Sequence, residues 1–454
     1  MKIAFIGAGS ICFCPATVMD ILQNEAINSV DLTIALMDID EKALETSAGL
    51  CHKIKKITKR EATIISTLKL EEAVEGADFV ITAIEVDRYL YWSQDYLIPK
   101  KYGFRQIYGE NGGPGSMFHT LRNLPPLLHI ARTMERLCPN ALLLNYTNPE
   151  AKLIEMIAKE TSIKVVGLCH GEEIGREQLS ILLDMPRSEL VTEVAGINHF
   201  GWFTKIQTLE GEDLYPLLKE KERSKEWDLH WDWLALSRVM MRLYGLWSYP
   251  GTSHVGEYIA WSDGFMDVNK QYFTDPATEK SWGYGIKEPK SKYAYLHGKI
   301  SLRSLGAEQA EIESYKRAFD IKDESELWTS SEYGVPIIEA VAFNKPKMFG
   351  AVIVPNTGFA KGMPLNMAVE VPALVDGNGV HPQETTELPI AINAMIATQG
   401  YINALVYEAY KEKSASKLLQ AVLLDPTVSS YNNAVAMIDE MLEVQKALLP
   451  ELNW

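Results

Sequence analysis

Short apolar runs alternate with helical patterns through the first part of the chain. Lys2 to Ile6, Asp31 to Met37, Phe79 to Ile84, Ala141 to Leu144 and Val165 to Leu168 are each brief, apolar and bounded by a polar residue or a glycine. Strands covered on both faces read this way. The segment from about Ala16 to Gln23 is the helix that the first run feeds. Such alternation predicts an α/β class, with an N-terminal Rossmann-like, doubly wound parallel sheet over residues 1–195. After His199 the pattern changes to aromatic-rich helical stretches (Trp227 to Tyr244), a strand-like Ala351 to Val354 and a helical C-terminus from about Leu388 to Leu449. An α+β domain over residues 196–454, carrying substrate, metal and oligomer contacts, is expected there. No internal repeat or low-complexity linker parts the two, so a broad interface should join them.

Composition narrows the class. The chain has 454 residues, 47% hydrophobic and 23% charged, as an ordinary folded enzyme has. A formal charge of -16 argues against nucleic acid, and the basic stretch Lys53 to Arg60 reads as a solvated helix face. The five cysteines, Cys12, Cys14, Cys51, Cys138 and Cys169, form no CxxC, which fits a reducing, cytoplasmic setting. Gly7 and Gly9 interrupt the first apolar run before it could serve as a signal peptide. No apolar stretch of membrane length follows, so no membrane partner is expected.

Candidate chemistry begins at Gly7-Ala8-Gly9-Ser10. The two glycines match the start of a dinucleotide fingerprint, where a tight turn lets backbone N–H groups approach a pyrophosphate at a helix N-terminus. Cys12 stands where a third glycine is usual. Asp38, closing the second strand, is placed to take the adenosine ribose hydroxyls and favours NAD over NADP. A βα turn with no ligand is the alternative.

A second chemistry lies downstream. Cys169 ends an apolar strand on the edge where open α/β sheets bind ligands, and His199 follows another apolar run beside Asn198. A thiolate and an imidazole leave positions open for substrate oxygens, as a catalytic metal needs, and permit Zn, Fe, Co, Ni or Mn.

The chain resembles glycoside hydrolase family 4, the NAD- and divalent-metal-dependent glycosidases. The likeness runs through Phe5 to Ser10, Met37-Asp38-Ile39-Asp40, Glu110 to Gly115, Asn145-Tyr146-Thr147-Asn148-Pro149, Gly167-Leu168-Cys169-His170, Gly196-Ile197-Asn198-His199, His254 to Tyr258, Val354-Pro355-Asn356 and Val369 to Asp376. It implies hydrolysis by a redox route, an exception to the two-carboxylate rule: oxidation at sugar C3 by NAD, loss of the C2 proton, elimination of the glycosidic oxygen, addition of water and return of hydride. A divalent metal, usually Mn(II), would act as Lewis acid on the C2 and C3 oxygens.

Carried over by position, the resemblance makes Cys169 and His199 metal ligands and Tyr258 the C2 base. Asn148 would hydrogen-bond the sugar hydroxyls near the metal and contribute to the cofactor site, although a turn residue before Pro149 is its plain alternative, and Tyr258 has one as a packed aromatic. Glu110 would support the metal, and His254 and Glu257 would be substrate or supporting groups. His170 resembles members acting on unphosphorylated sugars. Cys169-His170-Gly171 is closer to the α-glucuronidase and α-galacturonidase branch than to the α-galactosidases and α-glucosidases, so uronides stand slightly ahead of neutral hexosides. The expected fold is like that of lactate and malate dehydrogenases, and a homodimer or homotetramer is expected. A 2-hydroxy-acid dehydrogenase and a non-enzymatic NAD-sensing protein are the rival functions; neither has a use for the Cys169 and His199 pair.

Overall fold

The computed structural model describes residues 1–10, 13–224, 234–262, 320–330 and 332–454. Cys12 and the start of the aromatic stretch at Trp227 lie outside the described residues. Strands β1 (Lys2–Ile6), β2 (Thr33–Met37), β3 (Thr63–Thr67), β4 (Phe79–Thr82), β5 (Leu142–Asn145) and β6 (Lys164–Gly167) form a parallel sheet in the order β3-β2-β1-β4-β5-β6. The order reverses direction between β1 and β4, which opens a crevice at the carboxyl ends of those strands. Strand β3 is the one parallel strand the apolar pattern does not reveal. It lies at the sheet edge with none of its residues buried, so it has no apolar run to read.

Helices cover both faces. On one side α1 (Cys14–Gln23) and α2 (Glu41–Thr58) pack over Ile3, Phe5, Ile34 and Leu36. On the other, α5 (Gly113–Leu137) and α6 (Glu150–Glu160) pack over Ala4, Ile6, Val80 and Leu143. Helix α2 starts where it does because the Asp40 side chain accepts from the Lys42 and Ala43 amides. Its last turn carries Lys55 and Lys56, favourable at the negative end of the helix dipole. The basic stretch is therefore a helix end with its cations at the surface.

The second half does not build a separate sheet. Strands β7 (Val191–Ile197), β8 (Phe200–Gln207), β9 (Trp247–Tyr249), β10 (Lys347–Pro355) and β11 (Ala368–Asp376) extend the first antiparallel, with β10 on β6 and the order β6-β10-β11-β7-β8-β9. β12 (Gly379–Pro382) pairs with β11. Residue 195, the boundary expected from the pattern, falls inside β7. The helical C-terminus resolves into helices 390–412, 415–424 and 431–444; the first two pack on α5 and the third on the helix over residues 88–101. Among the described residues no helix is long and apolar enough to cross a membrane.

Candidate active site

The carboxyl ends of β1, β4, β5 and β6 converge on a cavity of about 500 Å³. Its cofactor end is the glycine turn. Gly7 has a φ of +90°, and a Cβ there would come within 2.2 Å of the Ala83 carbonyl oxygen. Only glycine fits. A Cβ on Gly9 would sit 2.8 Å from the Asp38 carboxylate and from the Ala43 methyl. Asp38 accepts from the Gly9 amide (2.7 Å) and the Asp40 amide (2.9 Å), so it ties the turn to the start of α2. Gly9 and Ser10 line the cavity; Asp38 stands behind them. A cradle that a single methyl would fill, open on a helix N-terminus, fits a dinucleotide pyrophosphate.

At the other end three loops meet. The tight β7–β8 hairpin leaves His199 as its second turn residue at φ 64°. The loop before α5 supplies Glu110 and Asn111, and the turn Gly256–Tyr258 supplies Glu257. Ligand atoms of Glu110, His199 and Glu257 lie within 4.8 Å of one another, all buried. One Glu257 oxygen accepts from the Asn111 amide (2.5 Å) and the Gly112 amide. The other, 4.0 Å from His199 Nδ1, is buried with no partner. Burial, with Glu110 nearby, pushes the Glu257 carboxyl well above the usual range. Burial lowers His199 to about 4 and His254, whose ring centre is 4.3 Å away, to about 3. Both imidazoles are neutral at pH 7, as a metal ligand must be. For Glu110, burial works to raise the carboxyl, but the Arg88 guanidinium at 2.6 Å holds it below its ordinary value.

Cys169 follows β6 and lines the same cavity, as do His170, Asn148, Glu110 and His199. It is not one of the three-residue cluster. Burial, then Glu370 and Glu150, hold its thiol well above the usual range, so a nearby cation is needed to draw out the thiolate. The orphaned buried Glu257 oxygen, the neutral His199 imidazole 4.0 Å from it and the Cys169 thiol on the cavity wall are donors that fit a divalent metal. The His170 Nδ1–H donates to Glu332 Oε1 at 3.1 Å, and this bond raises the pKa of the ring. Asn148 is anchored through its backbone carbonyl, which accepts from the Asn123 amide at 2.8 Å. Tyr258 is placed differently. Its ring stacks on Phe200 with centres 5.1 Å apart, its hydroxyl donates to the Asn198 carbonyl at 3.0 Å, and it is not part of the cavity wall.

Several wall residues escaped the sequence reading. Glu85 follows β4 and is gripped by His119 Nε2 at 2.6 Å, with Arg122 at 3.9 Å; burial works to raise it, but His119 and Arg122 hold it at about 2. Arg88, three residues on, opens α4 (Arg88–Lys101). Both follow a strand end, the position where open sheets bind ligands, and that rule could have found them. Glu150, buried beside Cys169 and held well above its usual pKa by burial, directly follows the Asn-Pro element. Glu332 reaches the wall from 162 residues beyond His170, and no local pattern announces it.

Comparison with known proteins places the chain in a family. A model described as "Family 4 glycosyl hydrolase" matches residues 2–185, and one described as "Family 4 glycosyl hydrolase C-terminal domain" matches residues 194–428. An alpha-galactosidase of Bacillus subtilis is 32% identical, covering 99% of each chain. An alpha-galacturonidase of Thermoanaerobacter italicus is 27% identical, covering 98% of this chain and 96% of its own. A 6-phospho-alpha-glucosidase from gut microorganisms, solved in complex with NAD and Mn2+, superposes with a TM-score of 0.79 at 22% identity, covering 100% of this chain and 99% of its own. With both of its halves matched by the family's two models, the chain belongs to family 4 of the glycosyl hydrolases.

Proposed function

We propose that the protein hydrolyses unphosphorylated α-glycosides, hexuronides ahead of neutral hexosides, with NAD and a divalent metal, Mn(II) by analogy with its structural neighbours. One observation carries this reading: a single cavity joins a glycine cradle to the Cys169 thiol and to the buried His199 imidazole and Glu110 carboxylate. When bound, NAD would supply a hydride acceptor for sugar C3 that later returns the hydride, and the metal would supply Lewis acidity toward the C2 and C3 oxygens.

The chain's own residues then have these tasks. Gly7, Gly9 and Ser10 admit the pyrophosphate, and Asp38 holds the turn and faces the adenosine ribose. Cys169 and His199 hold the metal, with Glu110 beside them. Asn148 orients the sugar against the cofactor. His170 hydrogen-bonds the substrate, its ring fixed by Glu332. Tyr258 takes the C2 proton, which requires its phenol to leave the Asn198 carbonyl. A phosphate dianion asks for more positive charge than the one guanidinium among the described lining residues supplies, whereas a single carboxylate can be met by it. The acidic side chains of the wall, Glu85, Glu110 and Glu332, favour neutral α-hexosides as the second reading. Membership of a glycosyl hydrolase family displaces the dehydrogenase and NAD-sensor alternatives. A homodimer or homotetramer is proposed through the C-terminal helices, where Ile390, Tyr401 and Tyr431 are exposed.

A panel of nitrophenyl α- and β-hexosides, hexuronides and 6-phosphohexosides, each with NAD, Mn(II) and thiol reductant omitted in turn, tests the reading. Release from an α-hexuronide that needs all three additives supports it. Release only from phosphorylated sugars, or undiminished release without NAD, overturns it.

A further inference from the structure

Among the described residues lining the cavity, one lysine or arginine is present, and it is Arg88. Its guanidinium is held on two sides. Nη2 donates to Glu110 Oε1 at 2.6 Å, and Cζ lies 4.8 Å from the centre of the Trp92 ring. Trp92 is itself fixed, its indole N–H donating to the Tyr108 carbonyl at 3.0 Å. The Glu110 side chain is 3% exposed and that of Arg88 is 37%. Arg88 is thus held at one edge and one face while it lines the cavity.

Two carboxylates flank it, and each has other partners. Glu85 is engaged by His119 at 2.6 Å and faces Arg122 at 3.9 Å. Glu110 belongs to the cluster with His199 and Glu257, where a divalent cation would share its charge. Nη2 carries a second hydrogen, and on the edge that Glu110 leaves open it forms, with the neighbouring N–H group, a planar fork that matches the two oxygens of a carboxylate. A lone ammonium would offer a point charge without that geometry, and a phosphate dianion would ask for more positive charge than one guanidinium supplies.

We propose that Arg88 is a specificity-determining residue that receives the C6 carboxylate of an α-hexuronide across its free edge. The proposal rests on the hexuronide reading above and adds the group that recognises the acid.

The test compares wild type, Arg88→Lys and Arg88→Gln, each loaded with NAD and Mn(II), on nitrophenyl α-galacturonide, α-glucuronide, α-galactoside and α-glucoside. Arg88→Lys keeps a cation beside Glu110, so it reports loss of the fork with the ion pair retained. For the uronides KM is expected to rise about 100-fold in Arg88→Gln and by less in Arg88→Lys, the worth of a charge-assisted bidentate pair. NAD affinity by fluorescence titration and the thermal unfolding midpoint of Arg88→Lys are read alongside. A uronide KM unchanged in both variants, with wild type active on uronides, overturns the role of Arg88 and leaves the hexuronide reading standing. So does a loss confined to kcat or NAD affinity, which marks a structural ion pair. Wild type active on the neutral hexosides alone overturns the hexuronide reading and the proposal together.

Discussion

The Glu257 carboxylate shows how tightly single residues constrain this site. One of its oxygens holds two backbone amides and the other has none to hold. A buried acceptor without a partner costs about 1–3 kcal/mol, and a cation placed between it, His199 and Glu110 would remove that cost. Cys169→Ser should then lose most Mn(II) affinity, measured by titration calorimetry, while NAD still binds; equal Mn(II) affinity in the serine variant would remove Cys169 from the ligand set and leave the carboxylate cluster. Tyr258 has two roles that one substitution separates. If it is the base, Tyr258→Phe should lower turnover about 100-fold or more with little change in substrate binding. If its hydroxyl serves only the Asn198 carbonyl, the variant should instead lose about 1 kcal/mol of stability and keep its turnover. Steady-state kinetics and a denaturant titration separate the two.

At the scale of elements, the glycine turn couples fold to cofactor. A methyl on Gly9 meets both Asp38 and Ala43, so Gly9→Ala should weaken NAD binding at least tenfold while the protein remains folded. Gly7→Ala, at φ +90° and 2.2 Å from a carbonyl, should destabilise the whole sheet. An NAD titration of Gly9→Ala equal to wild type would show that the cradle is not the pyrophosphate site. These elements were legible because their signals are local: strand, glycine turn, helix and a following acid lie within about forty residues, and the ends of β5 and β6 carry Asn148 and Cys169 in the same manner. What was not legible is non-local. Strand β3 has no buried face to pattern it. That β10 would pair with β6, and so carry the first sheet into the second half, depends on a register between segments nearly two hundred residues apart. The Glu332 contact to His170 and the grip of His119 on Glu85 likewise depend on the finished fold.

Across the whole molecule, the shared sheet makes the site and the stability of the fold one problem. Glu370, on β11 opposite Gly196, is 2% exposed; one oxygen accepts from the Tyr249 hydroxyl at 2.7 Å. Burial raises its carboxyl to about 7. Because the folded pKa is above the unfolded one, the unfolded chain releases this proton first, and stability should fall between about pH 4.5 and pH 7 by on the order of 3 kcal/mol. Glu370→Gln should flatten that decline in the metal-free protein, with a thermal unfolding midpoint that gains on wild type from pH 5 to pH 8; a constant difference across that range would contradict the assignment. As proposed above, this glycosyl hydrolase uses a redox cofactor without net oxidation, through a proton removed at C2. Hydrolysis of an α-hexuronide by the NAD- and Mn(II)-loaded protein in deuterated water tests it most directly, with mass spectrometry of the product and absorbance at the NADH band followed together. The account predicts one solvent deuterium at C2 of the released sugar and no NADH accumulating with turnover. A product with no deuterium at C2, or NADH formed in step with product, would contradict it.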